Sequence, residues 1–171
     1  MKKMFTIALT CALSAVLLVG CAETSKSTQK TPEELTQLYT EAIQNNGGEM
    51  VEYNPVVSEI KEDDASSVLV ESLGLSAGDM QAFGISVSMM NVKAYGIAAV
   101  MPVEGKEDAV KESLQGFIDR QQQNFEMYLQ DQYEVAKNAK LETLEDGTVL
   151  MVMCEDQDNV FDAISKAILE G

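Results

Sequence analysis

Two short runs of almost unbroken apolar residues constrain the fold of this chain more than any other feature. YGIAAVMPV occupies residues 95–103, and TVLMVMC occupies residues 148–154. Both runs are rich in residues that favour extended structure. A short, continuously apolar run is typical of a strand that is buried within a sheet. The sequence therefore predicts a central β-strand in the first run, ending at Pro102, and a second apolar strand in the other.

Each apolar run has a neighbouring extended segment with which it can pair. Residues 85–89 read ISVSM, and this alternation of apolar residues with serine predicts a strand with one solvent-exposed face. A turn around residues 91–93 pairs that strand with the first apolar run. Asp146-Gly147 is a favoured tight-turn pair, so the segment that begins at Ala139 forms a second hairpin with the second apolar run.

Two helices are predicted before the first hairpin. Thr31 can cap the first helix, and Glu34, three residues later, completes a capping box. The sequence NNGG at 45–48 ends this helix, since such residues favour turns over helix. The second helix is predicted over residues 64–73 and is closed by Gly74.

Two further helices follow the hairpins. The longest periodic segment, 104–135, predicts one long helix, because apolar and aromatic residues that include Tyr128 and Leu129 recur at steps of three and four. The last helix begins near Asp156 or Asp158, either of which can act as its N-cap. Its apolar stripe also faces a core.

The predicted order of elements defines an α+β fold. An antiparallel sheet of about four strands is covered on one face by helices, in the order β-β-α-β-β-α, and two helices precede this core. Residues 31–171 are long enough for one globular domain with a substantial core. We therefore expect a single α+β domain over 31–171.

The N-terminal segment has the pattern of a lipoprotein signal. Lys2 and Lys3 precede an uncharged apolar stretch that ends in LVGC at residues 18–21, as in a secretory signal. LVGC resembles the bacterial lipobox, in which the cysteine thiol receives a diacylglyceryl group and the preceding peptide bond is cut. The sequence predicts a signal peptide at 1–20, lipidation at Cys21 and a flexible linker at 21–30. An ordinary signal peptide or a retained signal anchor is the alternative.

The strong negative charge limits the classes of partner. The chain has 12 basic and 28 acidic residues, a net charge of −16. Removal of residues 1–20 takes away two lysines and no acid, which leaves 10 basic residues against 28 acidic ones, or −18. Phosphates of nucleic acids and anionic lipids repel such a surface. We therefore expect no nucleic-acid partner, and we expect the lipid anchor to hold the protein on the extracytoplasmic face of the cell membrane.

Cysteine and histidine usage exclude several kinds of catalytic site. Cys11 lies in the predicted signal and Cys21 is predicted to carry lipid, so Cys154 is the one remaining thiol and no disulfide within the domain is expected. Cys154 ends an apolar run, which favours a buried thiol. The chain has no histidine, so it cannot form a Ser/His/Asp or Cys/His site or a histidine-ligated zinc site. We expect no cofactor apart from the lipid, no metal and no catalytic residue.

Three patterns that could indicate chemistry have simpler interpretations. The methionines of the predicted strands could bind copper, but methionine more often fills a core. EDQDNVFD at 155–162 resembles part of a calcium loop but lacks its glycine and terminal glutamate, so helix capping is the better interpretation. Glu62, Asp63 and Asp64 could act as acid and base, although an exposed acidic run is the usual explanation.

Asn91, Arg120 and Tyr128 are the candidate binding residues. Arg120 and Tyr128 lie eight residues apart on the predicted long helix and project in similar directions. With Asn91 of the first hairpin they could line one pocket. Alternatively, Arg120 extends past the apolar stripe to solvent while Tyr128 packs in the core.

Several segments resemble the bacterial lipoprotein family catalogued as domain of unknown function 4358, over roughly residues 37–168. The similar features are spread along both predicted hairpins and the long helix: Ser88-Met89, Asn91-Val92, the strand at 97–100, Arg120, Tyr128 with the following QDQYEVAKNA, and the glycine turn into an apolar strand. The resemblance implies a surface lipoprotein without an assigned activity.

Two functions are compatible with these patterns. The favoured one is a membrane-anchored, non-enzymatic binding or accessory domain at the cell envelope, with an envelope protein or a small ligand as its partner. The alternative is an enzyme or inhibitor that acts on cell-envelope material through carboxylates. A deep cleft with converging carboxylates would favour the enzyme, and an apolar or aromatic surface would favour the binding domain.

Overall fold

The computed structural model describes residues 30–61 and 65–171, which form an α+β fold. Four antiparallel strands form one sheet in the order β1-β2-β4-β3. The elements along the chain are α1 (Pro32–Asn46), α2 (Met50–Tyr53), α3 (Ala65–Ser72), β1 (Met80–Val87), β2 (Gly96–Pro102), α4 (Glu107–Phe125), α5 (Gln130–Lys137), β3 (Lys140–Thr143), β4 (Val149–Met153) and α6 (Gln157–Glu170). The predicted fold class is therefore confirmed.

Local sequence signals account for several boundaries. The Thr31 backbone N–H donates to Glu34 Oε2 at 2.7 Å, and the Glu34 N–H donates to Thr31 Oγ1 at 3.2 Å, so the predicted capping box is present. Gly147 has a φ of 91°, a conformation that glycine adopts without steric cost. It turns β3 into β4, as the Asp-Gly pair predicts.

The prediction that helices cover one face of the sheet is wrong, because both faces are buried. One cluster packs α3, α4 and α5 against the sheet residues Ala98 and Val100, and the other packs α1 and α6 against Ile97 and Ala99. Successive residues of a strand point to opposite faces. The uninterrupted apolar runs are explained by this arrangement, since each position of β2 and β4 needs an apolar side chain.

The predicted exposed face of the first strand is also wrong. Strand β1 begins at Met80 rather than at Ile85, and the Ser86 side chain is fully buried. Its hydroxyl donates to the Asn54 carbonyl oxygen at 2.6 Å. Burial of a serine is tolerated when its hydroxyl is hydrogen-bonded, so alternation with serine did not indicate solvent here.

The predicted long helix is interrupted between Phe125 and Gln130, which gives α4 and α5. Phe125 is buried in the core, whereas Tyr128, in the turn after it, is 61% exposed. After the turn, α5 returns along α4 and buries Ala136. Helical periodicity continues through the break because both helices present apolar residues to the same cluster.

The two ends of the sheet serve as reference points for the site described below. We name the end where β1 stops at Val87, β2 begins at Gly96 and β4 stops at Met153 the cleft end. At the opposite end lie Met80 and Pro102, which pair with each other. Helix α1 begins near the opposite end, where Glu33 lines the same surface depression as Gln81 of β1, and it ends near the cleft end, where Gly47 lies close to Ile97 of β2.

Candidate functional site

A cleft of about 390 Å³ lies at the cleft end and is the candidate functional site. Five separate segments form it: the α1–α2 junction with α2, the β1–β2 loop, the first turn of α5, the β4–α6 loop and the first turn of α6. The lining residues are Gly47, Gly48, Glu49, Met50, Tyr53, Lys93, Ala94, Tyr95, Gln132, Cys154, Glu155, Asp156 and Val160. The cleft thus combines buried apolar surface with three carboxylates and one ammonium group.

Gly47 lets α1 end close to the sheet. A Cβ atom at this position would lie 2.7 Å from the Ile43 carbonyl oxygen and 3.1 Å from Ile97 Cδ1, which is too close for any side chain. The Gly47 N–H donates to the Ile43 carbonyl oxygen at 2.7 Å and closes the helix. The next helical turn, α2, then places Met50 and Tyr53 on the cleft wall.

A buried chain of hydrogen bonds fixes the inner end of the cleft. The Ser86 hydroxyl has one proton, which it donates to the Asn54 carbonyl oxygen. The Tyr95 hydroxyl, 2.9 Å away, therefore donates to Ser86 Oγ. Burial raises the pKa of Tyr95 to about 12. Tyr95 thus connects β1 and β2 to the segment after α2, and it stays neutral under ordinary conditions.

Gln132 connects α5 to the β1–β2 loop. Its side chain is buried, and Oε1 accepts a hydrogen bond from the Ala94 N–H at 2.9 Å. Its Nε2 group donates to Asp131 Oδ2 at 3.0 Å. This side-chain bond is the main cause that lowers the pKa of the Asp131 carboxyl group, and the charge of Lys93 lowers it further. The interruption after α4 is what brings Gln132 to this position.

An ion pair joins two cleft walls at their exposed edge. Lys93 Nζ of the β1–β2 loop lies 2.7 Å from Glu155 Oε1 of the β4–α6 loop. Both side chains are substantially exposed, so the pair contributes at most about 1 kcal/mol to stability. Glu49 and Asp156 add two more carboxylates to the lining. The formal charge of the lining residues is therefore −2, from three carboxylates and one lysine.

Cys154 is buried at the end of β4, as the apolar run predicts. Burial raises the pKa of its thiol to about 11, and the nearby charges of Asp156 and Glu155 add to the rise, while a hydrogen bond from the backbone opposes it. The thiolate is the reactive form of cysteine. Cys154 therefore lines the cleft as a protonated, largely buried thiol.

We expect Cys154 to react at least about 100-fold more slowly with a water-soluble thiol reagent in the folded protein than in urea at pH 8. A rise in pKa from 9.0 to about 11 reduces the thiolate fraction by about this factor, and burial slows access further. Mass spectrometry of the label at Cys154 measures the rate. Equal rates in the folded and unfolded protein would contradict the buried position.

We expect the stability of the protein to fall steeply above about pH 10. Burial raises the pKa values of Tyr39, Tyr95 and Cys154 in the folded state. Between the unfolded and folded pKa values the native state holds protons that the unfolded state has released. Unfolding is then favoured by up to about 1.4 kcal/mol per pH unit for each group. Urea unfolding at pH 8, 10 and 11 measures the loss, and a constant midpoint would contradict it.

The three predicted binding residues have different surroundings and none lines the cleft. Asn91 is exposed in the β1–β2 loop. Arg120 donates to the Ser72 carbonyl oxygen at the end of α3, at 2.9 Å. The Tyr128 ring lies 6.2 Å from the Phe125 ring, measured between centroids. A binding role for the three stays a prediction, and the structure does not gather them into one described pocket.

Several other candidate residues lie outside the part of the chain that the structure describes. Glu62, Asp63 and Asp64 lie outside the described residues, as do Cys21 and the predicted signal and linker up to residue 29. Within 30–61 and 65–171, the acidic and cysteine side chains form no group of three that could hold a metal ion. In the same ranges, no helix has the length and apolar character needed to cross a membrane.

Sequence reasoning missed the cleft because its residues are scattered over more than 100 positions of the chain. Glu155 and Asp156 fall in a segment for which the sequence favours helix capping. Asp156 occupies the N-cap position of α6, but its side chain makes no capping bond to the helix backbone and accepts a hydrogen bond from the Asn159 side chain instead. Lys93 and Tyr95 lie in the hairpin that was predicted. No local signal connects either segment to Tyr53, because only the packing of α2 against the sheet brings them together.

Comparison with known proteins identifies the family. A family model described as "Domain of unknown function (DUF4358)" matches residues 53–154, which extend from Tyr53 of the cleft to Cys154. No curated protein and no solved structure matches the chain. The matched segment covers more than half of the sequence and contains all four strands, so the chain belongs to the DUF4358 family.

Proposed function

We propose that this protein is a membrane-anchored extracytoplasmic lipoprotein whose folded part is a non-enzymatic binding or accessory domain, with the cleft as its binding site. The observation that carries the proposal is the cleft itself, a concave surface formed by five segments and lined by both apolar and charged groups. Such surfaces are the usual positions of ligand sites. The LVGC sequence at 18–21 supports the anchor.

The position of the cleft suits a tethered binding domain. Residues 21–30 would link a lipidated Cys21 to the start of α1, which lies at the end of the molecule opposite the cleft. Helix α6 begins at the cleft, where Val160 lines it, and ends at Glu170. Leu38, in the first half of α1, is close to Gly171 after the far end of α6. Gly47, just after α1, lines the cleft. A lipid at Cys21 would therefore attach the domain at the end remote from the cleft, which leaves the cleft accessible to a partner.

Binding is favoured over catalysis by the state of the polar groups. The carboxylates of Glu49, Glu155 and Asp156 are exposed, and they lack the burial by which enzymes commonly adapt a carboxyl group to act as a general acid. Cys154 is held in its protonated form by burial. The chain also has no histidine to serve as a base. These features suit a surface that recognises a partner.

Site-specific photocrosslinking in the producing cells tests this proposal. A photoreactive phenylalanine analogue at Tyr53, which is 76% exposed at the cleft, is expected to form a discrete adduct. The matched control is the same analogue at Leu169, an exposed apolar position of α6 near the opposite end. An adduct at position 53 and none at 169 is the expected result.

The same experiment contradicts the proposal if neither position forms an adduct, or if both form the same one.

An in vitro activity assay tests the enzymatic alternative. Purified protein is incubated with envelope polysaccharides and peptides, and products are measured by mass spectrometry. Turnover that disappears in Glu155→Gln or Asp156→Asn, with the fold retained, would replace the binding proposal by the carboxylate enzyme.

A further inference from the structure

Exposed apolar side chains are concentrated at the cleft end. Six of the eight large exposed apolar or aromatic residues in the described part of the chain lie there, and the remaining two, Val68 and Leu169, are on α3 and α6. We name these six the apolar rim: Tyr53, Met89, Met90, Val92, Met127 and Tyr128. Contiguous exposed apolar surface on a folded protein commonly marks an interaction site.

One hydrogen bond, one shared cleft lining and one short chain connection place the parts of the apolar rim at the same end of the molecule. Tyr53 lines the same cleft as Lys93 and Ala94 of the β1–β2 loop, which also carries Met89, Met90 and Val92. The Gln132 side chain binds the Ala94 backbone at 2.9 Å. The turn with Met127 and Tyr128 immediately precedes the helix that carries Gln132. The rim residues therefore lie on segments that form the cleft or directly adjoin it.

The charges beside the rim favour a cationic partner. Glu49, Glu155 and Asp156 line the cleft, and the Lys93 ammonium group among them already pairs with Glu155 at 2.7 Å. Lys93 also acts on Asp131, whose pKa it helps to lower. The cleft thus retains an excess of negative charge, as does the whole chain with its net charge of −16. Complementary charge accelerates encounter with a partner and selects it.

We propose that the cleft end binds a segment of another polypeptide in which lysine or arginine is flanked by apolar residues. The cationic side chain enters the cleft between Glu49 and Asp156 and contacts the ring of Tyr53, since aromatic faces attract cations. The flanking apolar residues cover Met89, Val92 and the other rim residues. This inference rests on the proposed binding function and specifies the chemistry of its partner.

Other occupants fit the same surface less well. A second copy of the chain would bring two acidic clefts together, and a membrane with anionic lipids would face the same negative charge. A small ligand would fill the cleft of about 390 Å³ but would leave Met89, Met90, Val92, Met127 and Tyr128 uncovered, because none of these lines the cleft. A basic, apolar polypeptide satisfies both parts of the surface.

Peptide binding to the full-length protein in nanodiscs of zwitterionic lipid tests this inference, with empty nanodiscs as the blank. One peptide alternates leucine with lysine, a second replaces lysine by glutamate, and a third replaces leucine by serine. We expect the leucine–lysine peptide to bind at least about tenfold more tightly than either of the others, a difference of about 1.4 kcal/mol. Its affinity should fall as salt is added, because salt screens exposed charges.

Paired variants separate the cleft from general electrostatics. Glu49→Gln with Asp156→Asn removes two cleft charges and leaves the Lys93–Glu155 pair intact. Glu33→Gln with Glu104→Gln removes two exposed charges from segments at the opposite end. We expect the first pair to weaken binding of the leucine–lysine peptide about tenfold. The second pair should change it less than about twofold, because screening limits long-range attraction.

Apolar contact with the rim is tested by Val92→Ser with Met127→Ser. Both side chains are exposed, so the fold should be retained while the affinity for the leucine–lysine peptide falls. The lysine–serine peptide, which lacks apolar side chains, should bind this variant and the original protein equally. Circular dichroism of each variant confirms that the fold is unchanged before binding is compared.

Four outcomes would overturn the inference. The glutamate peptide could bind as well as the lysine peptide, the two charge variants could weaken binding equally, or the leucine–lysine peptide could fail to bind. Alternatively, light scattering could show a dimer that Val92→Ser with Met127→Ser dissociates, which would assign the rim to a second copy. If the crosslink at Tyr53 forms while the leucine–lysine peptide fails, the site is retained and only the basic character of its partner is rejected.

Discussion

Cys21→Ala is expected to abolish lipid incorporation and to release or mislocalise the protein. In the proposed lipoprotein, Cys21 follows Leu18, Val19 and Gly20 and carries the thioether lipid. Alanine has no sulfur to which a diacylglyceryl group could be joined. Each buried methylene of an acyl chain contributes about 0.8 kcal/mol to membrane binding, and two chains give stable anchoring. The loss of lipid labelling should therefore be complete rather than partial.

The matched control for this prediction is Cys11→Ala. It removes a thiol from the same apolar segment and should leave lipid labelling and membrane association unchanged. Incorporation of a labelled fatty acid, followed by separation of membranes from soluble material, measures both properties. Unchanged lipid labelling of Cys21→Ala, or an equal loss in Cys11→Ala, would show that LVGC is not a lipidation signal in this protein.

Gly84→Val is expected to lower the free energy of unfolding by about 3 kcal/mol or more, the upper range for overpacking of a core. Helix α1 crosses β1 at this residue. A Cβ atom at Gly84 would lie 3.0 Å from Tyr39 Cβ and 3.2 Å from the Tyr39 carbonyl carbon. The second atom belongs to the helix backbone, so a rotamer change cannot relieve the clash. Valine must therefore push α1 away from the sheet.

Displacement of α1 has a further cost. The Tyr39 hydroxyl lies 2.7 Å from Thr148 Oγ1, and the Thr148 hydroxyl donates to Asp146 Oδ2 at 2.9 Å. A shifted helix would break the bond to Thr148 and leave a buried hydroxyl without its partner, which commonly costs about 1–3 kcal/mol. Since typical domains are stable by only about 5–15 kcal/mol, the variant should lose a large fraction of its stability.

Gly78→Ala is the control for Gly84→Val, because the nearest atom to a Cβ atom at Gly78 is Ser76 Oγ at 3.9 Å. Its unfolding midpoint in urea should stay close to that of the original protein, and Gly84→Ala should fall between Gly78→Ala and Gly84→Val. Far-ultraviolet circular dichroism follows the transition. Equal midpoints for Gly84→Val and Gly78→Ala would contradict the close packing of α1 on β1.

Local patterns were sufficient for much of the fold. The capping box at Thr31, the turn at Gly147 and the apolar run of β4 each depend on residues that are neighbours in the chain. The physical preferences that they express, for satisfied helix N–H groups and for glycine at positive φ, act without the rest of the protein. These elements were therefore predictable.

Predictions failed where burial depended on distant segments. Ser86 is buried because the Asn54 carbonyl oxygen and the Tyr95 hydroxyl are placed beside it. The helical stripe that continues past Phe125 conceals the turn before Gln130, because α4 and α5 share one core. In each case tertiary packing, rather than the local pattern, decides which residues are buried and where the chain turns.

The candidate site shows the same division. The sequence alone determined the acidic charge, the lack of histidine, the lipobox-like segment that ends at Cys21 and the apolar character of the strand that ends at Cys154. Only the tertiary structure decided that Tyr53, Lys93 and Glu155 share one cleft and that Arg120 binds the end of α3. Composition and short-range periodicity are properties of the chain, whereas a cleft forms only when packing brings distant segments together.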